Sequence, residues 1–445
     1  MSSASSGRSG RKLLRTLLTF VLMTAFAASA LYAIGSGIAN RKKADVIAAW
    51  DGSLGTEDEI FERYPHVEAN TAALDIERLS AVLGVDIAPK QYDGRARPTD
   101  ERSREYGRVK PQVANFLQKS LSRPGAGLST PPETLAAFFE AHDEEIGALR
   151  SVLAAGDLPR WEMHVEELWE APIPNLLGHI TLQRLLLAHA LVSAAGGDRD
   201  TALADLDASW RLNASLRDSP ILISQLIAVA VARMQVGMLR HVDGVPASWR
   251  ERLAEHDHRA SLMESLRYEG WIWTKFDDPE LIGMESTLQR VALRVAQPYV
   301  RYCLFDTSDR WRHAIERLAE GGQPCGVPTN QAELHDPAPG WNIMERIVVP
   351  NLLGAVDRVA RLEIDIELTD RWLALQQLRD ENRGAWPAGI AEPEPSAACP
   401  GEHWIYAVSE SGEASVNLSR ELRWPGQVGL ILPTRHSSAK EPSDT

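Results

Sequence analysis

The chain contains 23 consecutive uncharged residues, from Thr16 to Ile38, close to its N-terminus. Basic residues flank this run on both sides, at Arg8, Arg11, Lys12 and Arg15 and at Arg41, Lys42 and Lys43. As an α-helix the run reaches roughly 34 Å, which is enough to cross a hydrocarbon core of about 30 Å with some tilt. The sequence therefore predicts that the chain enters a membrane here, and everything after it must fold beside a lipid bilayer.

Two interpretations of this segment remain open. Ala28-Ser29-Ala30 is a small-x-small site behind an apolar stretch, as in a cleavable secretory signal. The apolar character continues through Tyr32 to Ile38, which favours an uncleaved single-pass anchor. Both interpretations send the rest of the chain across the membrane. The excess of basic residues before the span predicts a cytoplasmic N-terminus and an extracytoplasmic bulk.

The charge of the remaining chain excludes one large class of partner. Seven of the 47 basic residues lie in positions 1–43, which contain no acidic residue, so the remainder carries 40 bases against 61 acids. Nucleic-acid binding depends on Lys and Arg neutralising phosphates, and so strongly acidic a body disfavours it. We predict no nucleic-acid partner and no cofactor, and we expect contact with the membrane through the N-terminal helix together with a protein partner of unknown identity.

Three cysteines are too few for a disulfide scaffold, but they allow one bridge. Cys325 and Cys399 both lie in Pro- and Gly-rich loop sequence, whereas Cys303 follows an apolar helical stretch and is predicted to be a buried thiol. The sequence predicts a disulfide between Cys325 and Cys399, with three reduced thiols as the alternative.

The pattern of apolar residues predicts a mainly α-helical body. The predicted segments are the basic N-terminus and anchor (1–43), a helical extracytoplasmic domain (44–384), a loop with a small β-hairpin (385–433) and a disordered tail (434–445). Within the body we predict a turn at residues 51–53 and a solvated loop at 92–110.

Turn-forming residues divide residues 174–240 into three predicted helices. The first two resemble a tetratricopeptide-style antiparallel hairpin, and the third is predicted to be a central buried helix. Asp198 is the expected N-cap of the second helix, and Pro220 is expected in the first turn of the third. Two short runs, 173–178 and 349–354, share Pro-Asn-Leu-Leu-Gly. They indicate either a duplicated helical layer or helix-start chemistry that recurs by chance.

Parts of the sequence resemble a known group of proteins. The Gly-Gly-Asp hairpin turn at 196–198, the Arg211 to Ile223 passage, and Leu375 to Trp386-Pro387 followed by Cys399-Pro400-Gly401 and Trp404-x-Tyr406 are similar to poorly characterised, membrane-anchored bacterial envelope proteins. The tail also resembles the C-terminal end of type II pseudopilin-like proteins, although their N-terminal signature is absent. The resemblance implies location and architecture only.

Few residues are arranged as catalytic chemistry requires. The sequence has no Walker-type loop, no His-Glu-x-x-His and no Gly-x-Ser-x-Gly motif. The remaining metal candidates are Glu255, His256 and His258, because Glu255 and His258 would stand one helical turn apart, as in di-iron bundles. The competing interpretation is a solvated polar helix face. His164 with Glu167 is a weaker acid/base or ligand pair, for which salt bridging is the alternative.

The sequence thus predicts a single-pass envelope protein: a transmembrane helix, a mainly helical body of antiparallel hairpins and a small C-terminal β-hairpin. We expect a scaffold or protein-interaction module without catalytic activity. One alternative is a periplasmic metal-dependent hydrolase using His256 and His258. The other is an accessory component of a secretion or pilus-like machine.

Overall fold

The computed structural model describes residues 6–121, 128–275, 287–320, 325, 339–342, 352–389, 393–410, 414–420 and 430–432. These residues are mainly helical and end in a small antiparallel sheet, as predicted. The helices are α1 (Ser6–Leu54), α2 (Glu57–Arg63), α3 (Thr71–Val82), α4 (Asp100–Leu121), α5 (Glu133–Ala141), α6 (Asp143–Ala155), α7 (Leu176–Ala195), α8 (Arg199–Arg217), α9 (Leu222–Leu239), α10 (Ser248–Ala254), α11 (His258–Ile272), α12 (Thr287–Glu320) and α13 (Leu352–Glu381). Short 3₁₀ helices span Val165–Glu170 and Trp273–Lys275.

The chain forms two compact units. The first comprises Met1–Ile60, Arg267–Arg317 and Ala332–Pro350, and the second comprises Phe61–Leu266, Leu318–Gln331 and Asn351–Thr445. The predicted boundary between residues 43 and 44 falls inside α1, which is a single helix of 49 residues.

The first unit is built around the C-terminal end of α1. The turn predicted at residues 51–53 is wrong, because α1 continues to Leu54 and the backbone breaks at Gly55, where φ is +104°. Trp50 is fully buried, and its indole nitrogen donates a hydrogen bond to the Ser308 hydroxyl at 2.8 Å. Gly270 lets the Trp50 ring approach closely, since a Cβ there would lie 2.5 Å from it. A tryptophan at the end of the apolar helix therefore anchors that helix in a protein core.

Three consecutive helices form the centre of the second unit. Asp198 caps α8 as predicted, and its side chain accepts a hydrogen bond from the Thr201 backbone at 3.1 Å. Contacts such as His189 with Asp205 between α7 and α8 show that the helices run antiparallel. Their cluster of buried apolar residues contains Leu176, Leu216, Ile227, Ala228 and Val231. The likeness to tetratricopeptide repeats stays a prediction.

The first Pro-Asn-Leu-Leu-Gly motif has a structural role in the second unit. Asn175 caps α7, so Pro174 precedes the cap and does not occupy the first helical turn. A Cβ on Gly178 would lie 1.8 Å from the Asp86 carbonyl oxygen. The glycine thus permits close packing of the chain against the start of α7. Pro350 and Asn351 of the second copy lie outside the described residues. Pro220 was also misplaced, since α9 begins only at Leu222.

The loop predicted at 92–110 is correct only for its first half. Helix α4 begins at Asp100, and Tyr106, Val109 and Val113 are buried along one face. The charged residues that suggested a loop occupy the solvent face of this amphipathic helix.

The C-terminal part of the second unit contains an antiparallel sheet in the order β1-β2-β3-β4. The strands are β1 (Glu394–Pro395), β2 (His403–Val408), β3 (Ala414–Leu418) and β4 (Leu430–Leu432). The predicted hairpin is β2 with β3, where Trp404 pairs with Leu418 and Val408 with Ala414. Its turn at 411–413 and the tail at 434–445 lie outside the described residues.

The three cysteines differ in their state. A disulfide joins Cys325 and Cys399, whose Cα atoms are 5.2 Å apart, within the usual range for such bonds. Cys303 is a buried free thiol in α12.

Among the described residues, three helices are long and apolar enough to cross a membrane: α1, α7 and α9. Two thirds of the apolar window is buried in α7 and in α9, whereas none of it is buried in α1. Length and composition therefore do not separate α9 from a membrane span, but burial does.

Candidate functional site

The residues singled out as metal ligands do not form one helical face. Helix α10 ends at Ala254 and α11 begins at His258, so Glu255 and His258 are separated by a break between helices. Asp257 caps α11 by accepting a hydrogen bond from the Ala260 backbone at 2.8 Å. An aspartate before an amphipathic run is a helix-start signal, which the prediction of one continuous helix overlooked.

The surroundings of His256 and His258 also disfavour a cation. Their rings meet edge to face at 4.6 Å, and His256 Nε2 pairs with the Ser261 hydroxyl. Burial and then the charge of Arg217 lower the pKa of His256. Burial, His256 and Arg217, in that order, lower the pKa of His258. A guanidinium close to both imidazoles repels a metal ion.

A different pair of histidines comes together where two extended segments of the second unit meet. Val67 and Met163 exchange both backbone hydrogen bonds, at 3.0 and 2.9 Å, as an isolated antiparallel bridge. Asn70 reinforces the junction, because its side chain donates to the Leu158 carbonyl at 3.0 Å and accepts from the Arg160 backbone at 3.1 Å. The two segments are therefore fixed at two separate points.

This bridge sets the position of His66 and His164. They flank a hydrogen-bonded pair, so they stand directly opposite each other, where cross-strand side chains approach most closely. Their rings stack with centroids 3.9 Å apart and an interplanar angle of 17°. Glu68 follows His66 by two residues and shares its face of the extended segment.

Three carboxylates surround these imidazoles. Glu166 Oε1 lies 2.7 Å from His66 Nδ1, and Glu68 Oε1 lies 3.1 Å from His66 Nε2. Glu167 Oε1 lies 3.2 Å from His164 Nδ1. We call these five residues the histidine-carboxylate cluster. The weak pair predicted from sequence, His164 with Glu167, belongs to it.

The cluster has a buried and an exposed side. The His164 side chain is 9% exposed, whereas that of Glu68 is 75% exposed. The hydrogen bond to Glu166, followed by that to Glu68, raises the pKa of His66. The same contact with His66 lowers the pKa of Glu166 and of Glu68. The field at this site therefore favours positive charge, the opposite of the field at His258.

Sequence reasoning missed His66 and Glu68. A signal was present, because His-Val-Glu occurs twice, at 66–68 and at 164–166. Both copies supply a histidine and a glutamate to the cluster. The spacing between the copies gives no hint that they meet, since only the tertiary bridge at Val67 brings them together.

The first unit carries a group of partly exposed aromatic residues along α1. Tyr32 donates a hydrogen bond to Gln297 at 3.2 Å, and Tyr299 donates one to the Trp341 carbonyl. The rings of Tyr302 and Trp341 are 5.5 Å apart. Tyr32, Tyr299 and Trp341 each remain more than 40% exposed. We call these four aromatic residues the aromatic collar.

Next to the collar, an apolar groove of about 480 Å³ separates α1 from α12. It is lined by residues such as Leu31, Ile38, Val295 and Pro298. N-terminal to the groove, α1 projects with its apolar side chains exposed, including Phe20 and Phe26.

The apolar residues around Trp271 belong to the core of the first unit. Trp271, Ile272 and Tyr268 are all buried. These residues are therefore not available as a surface for a partner.

A cleft of about 170 Å³ lies between α13 and the sheet in the second unit. Its charged side chains are paired with each other: Arg250 makes two hydrogen bonds with Asp370, and Arg371 lies 3.4 Å from Glu394 and over the Trp404 ring. The charged side chains that line the cleft are therefore already paired within the protein.

Comparison with known protein families, with curated proteins and with solved structures finds no match to this chain. Functional inference therefore depends on the residues and geometry described above.

Proposed function

We propose that this protein is a membrane-anchored scaffold of the cell envelope, which holds a helical body on the extracytoplasmic side and acts through protein contacts. The observation that carries the proposal is α1 itself, whose exposed apolar part continues without a break into a buried core at Trp50. Exposed apolar surface of this extent is costly in water and stable in lipid.

The aromatic collar supports a specific depth for the anchor. Tyrosine and tryptophan are enriched where membrane and water meet. If Tyr32 lies at one interface, the 16 residues back to Leu17 rise about 24 Å, so the basic sequence that precedes Leu17 would begin near the opposite head groups. The residues from Gly35 onwards would then pack against α12 outside the hydrocarbon. The two helices are close at this point, since a Cβ added at Gly35 would lie 3.3 Å from Pro298.

Two observations support the orientation of the anchor. Lys42, in the basic triplet that follows the span, is committed to Asp309 at 2.8 Å in the first unit, which lowers the uncompensated positive charge after the span. The disulfide between Cys325 and Cys399 fits an oxidising compartment, because cytosolic thiols are kept reduced.

The scaffold is favoured over the hydrolase by the state of the predicted ligands. Glu255 and His258 belong to different helices, and Arg217 faces both histidines of that pair. The resemblance to envelope proteins, which implies only location and architecture, agrees with a scaffold.

The first experiment tests location and orientation. Alkaline phosphatase, which is active only outside the cytoplasm, and a fluorescent protein, which matures in the cytoplasm, are each fused after Thr445. The proposal expects phosphatase activity in the membrane fraction and no fluorescence. Fluorescence in the membrane fraction, or a soluble protein with an intact N-terminus, would contradict it.

The second experiment tests the role in protein contacts. A photocrosslinking residue replaces Ile405 or Leu74, which have nearly equal exposure, 44% and 43%, on different elements of the second unit. After irradiation of intact cells, a scaffold gives a discrete crosslinked product at one position and not at the other. Uncrosslinked monomer from both positions, and from a scan of the exposed faces of α3, α7 and α13, would count against the interaction role.

A further inference from the structure

We propose that His66, His164 and Glu68 form a binding site for a divalent transition-metal ion, for which Zn²⁺ is the best match. This site is distinct from the metal candidates of the sequence, and the proposal does not depend on the membrane-anchored scaffold. It rests on the convergence of ligand atoms, the orientation of the imidazoles and an unpaired buried nitrogen.

The three residues already hold one ligand atom each within a small volume. These imidazole nitrogens and the carboxylate oxygen all lie within 4.8 Å of one another. Among the described residues, no other group of three or more His, Cys, Asp or Glu side chains brings its ligand atoms this close together. Glu255, His256 and His258 do not form such a group. The backbone bridge between Val67 and Met163 holds the two histidines opposite each other independently of any metal.

The carboxylates next to the cluster engage both imidazoles at Nδ1, as they do around bound metals, and the stacked rings would turn so that both Nε2 lone pairs meet one ion. Glu166 engages His66 at Nδ1, and Glu167 engages His164 at Nδ1. Each carboxylate holds a proton at Nδ1, so the Nε2 lone pair is available to a metal once any proton on Nε2 has been released. Carboxylate-histidine-metal arrangements of this type are usual around bound zinc. A metal would replace the present contact of Glu68 with His66 Nε2.

The second, independent observation is the state of His164. Its side chain is more than nine-tenths buried, and within the described residues its Nε2 has no hydrogen-bond partner. A buried polar atom without a partner costs about 1 to 3 kcal/mol. Coordination to a metal would satisfy this nitrogen. His258 also has an unpaired nitrogen, at Nδ1, but the residue beside it is a guanidinium and not a carboxylate.

The donor set selects the kind of ion. Two imidazoles and one carboxylate suit Zn²⁺ and its neighbours, whereas Mg²⁺ and Ca²⁺ prefer oxygen ligands alone. Glu68, Glu166 and Glu167 together supply three negative charges within hydrogen-bond reach of the two rings, which compensate the charge of the ion. Three protein ligands would leave one tetrahedral position for water.

Binding would tie the two extended segments together through side chains. The segment around Val67 and the segment around Met163 are joined at present by backbone hydrogen bonds, by Asn70 and by the contact of His66 with Glu166. We therefore expect the ion to act as a structural crosslink in the scaffold.

The test uses the full chain, purified in detergent micelles without a polyhistidine tag, stripped with EDTA and dialysed. Zinc chloride alone is titrated by calorimetry, and bound metal is measured by mass spectrometry after desalting. The expected result is about one Zn²⁺ per chain, with release of protons on binding. Magnesium and calcium chloride should neither bind stoichiometrically nor displace zinc.

Four variants locate the ion. H66A and E68Q should each lower zinc affinity by about 100-fold, while H258A should bind as the wild type does. Removing the partner of His164 with E167Q should lower affinity by about 10- to 100-fold without removing a ligand. This effect identifies Glu167 as a positioning residue.

The outcomes are decisive even if a buried variant misfolds. The zinc affinity of H164A is interpreted only if its circular dichroism and its unfolding in EDTA match those of the wild type. Otherwise the zinc affinities of H66A and E68Q, which replace more exposed residues, decide the test. Absence of stoichiometric zinc from the wild type would overturn the proposal. So would equal zinc affinity of the wild type and H66A, or loss of zinc in H258A alone.

Discussion

The two histidine pairs of the second unit show how differently the same residue type behaves in different surroundings. His256 and His258 are neighbours in sequence, but they lie at a break between helices beside Arg217. His66 and His164 are far apart in sequence, but one backbone bridge stacks their rings among three glutamates.

The difference teaches that spacing in the sequence is a poor guide to a metal site unless the segment is a single regular element. Glu255-x-x-His258 suggests one face only if the helix is continuous, and Asp257 interrupts it by capping α11. Charge decides the rest. Burial and Arg217 keep His258 neutral, whereas Glu166 and Glu68 favour the charged form of His66.

The largest expected effect separates the two pairs by metal-dependent stability. At a free zinc concentration about 1,000 times the dissociation constant, the free energy of unfolding of the wild type should rise by about 4 kcal/mol. Denaturant unfolding of the full chain in micelles measures this change. H258A should gain the same amount, and H66A, whose affinity is expected to be about 100-fold weaker, should gain only about 1.4 kcal/mol. An equal gain in H66A would place the stabilising metal elsewhere.

The next effect tests the junction that assembles the second pair. Asn70→Ala removes the cap of α3, a 3.0 Å bond from the Ala73 backbone, and two hydrogen bonds to the segment that contains Leu158 and Arg160. We expect a loss of about 2 kcal/mol in the free energy of unfolding and weaker zinc binding. Chemical denaturation and calorimetry measure the two quantities.

A matched control for this variant is Asp198→Ala, which removes only the cap of α8. Its expected cost is about 1 kcal/mol, with zinc affinity unchanged. If both variants reduced zinc affinity equally, the junction would have no specific role in assembling the cluster.

A smaller effect distinguishes the pairs by pH. Because burial lowers the pKa of His258, the unfolded chain takes up a proton below pH 6.5 while the folded chain does not. The free energy of unfolding should therefore fall by about 1.4 kcal/mol per pH unit below pH 6.5 on account of this residue. His258→Leu should remove that part of the slope, as measured by denaturation at a series of pH values in EDTA.

His66 should act in the opposite sense, since its pKa in the folded state is raised. Its contribution to stability is present below pH 6.5 and is lost as the pH rises through the raised pKa. His66→Ala should thus leave the slope below pH 6.5 unchanged and should remove the loss of stability that occurs as the pH rises from 6.5 through the raised pKa. A slope reduced by both substitutions would remove the electrostatic contrast between the two pairs.

The smallest effect concerns Glu68 without metal. Its carboxylate is exposed, and exposed ion pairs contribute little to stability. In EDTA, Glu68→Gln should leave the denaturation midpoint unchanged while zinc affinity falls. A destabilised apo protein would mean that Glu68 has a structural role that the metal site does not require.

Much of the fold follows from local sequence signals. The cap at Asp198, the alternation in β2 and β3 and the long apolar run of α1 are local properties, and the structure contains each of them. The errors arose where tertiary packing decides. The charged face of α4 was taken for a loop, and only burial separates α9 from a helix in lipid.

The candidate site was less predictable than the fold. The repeated His-Val-Glu was visible, but the contact between Val67 and Met163 is not encoded by any local period. Long-range pairing of short extended segments depends on the packing of the helices around them, which a single sequence does not reveal. The site residues on 164–167 were noticed, whereas their partners on 66–68 were not.

The unbroken path of α1 from exposed Phe20 to buried Trp50 has a mechanical consequence if the exposed part lies in a membrane. A rigid rod that is fixed at one end transmits any change of angle to whatever holds it. A thinner bilayer tilts an apolar helix that is too long for it. The backbone breaks only after that point, at Gly55, so such a tilt would turn the Trp50 core with the rod. A change in bilayer thickness would thereby change the orientation of the first unit relative to the membrane.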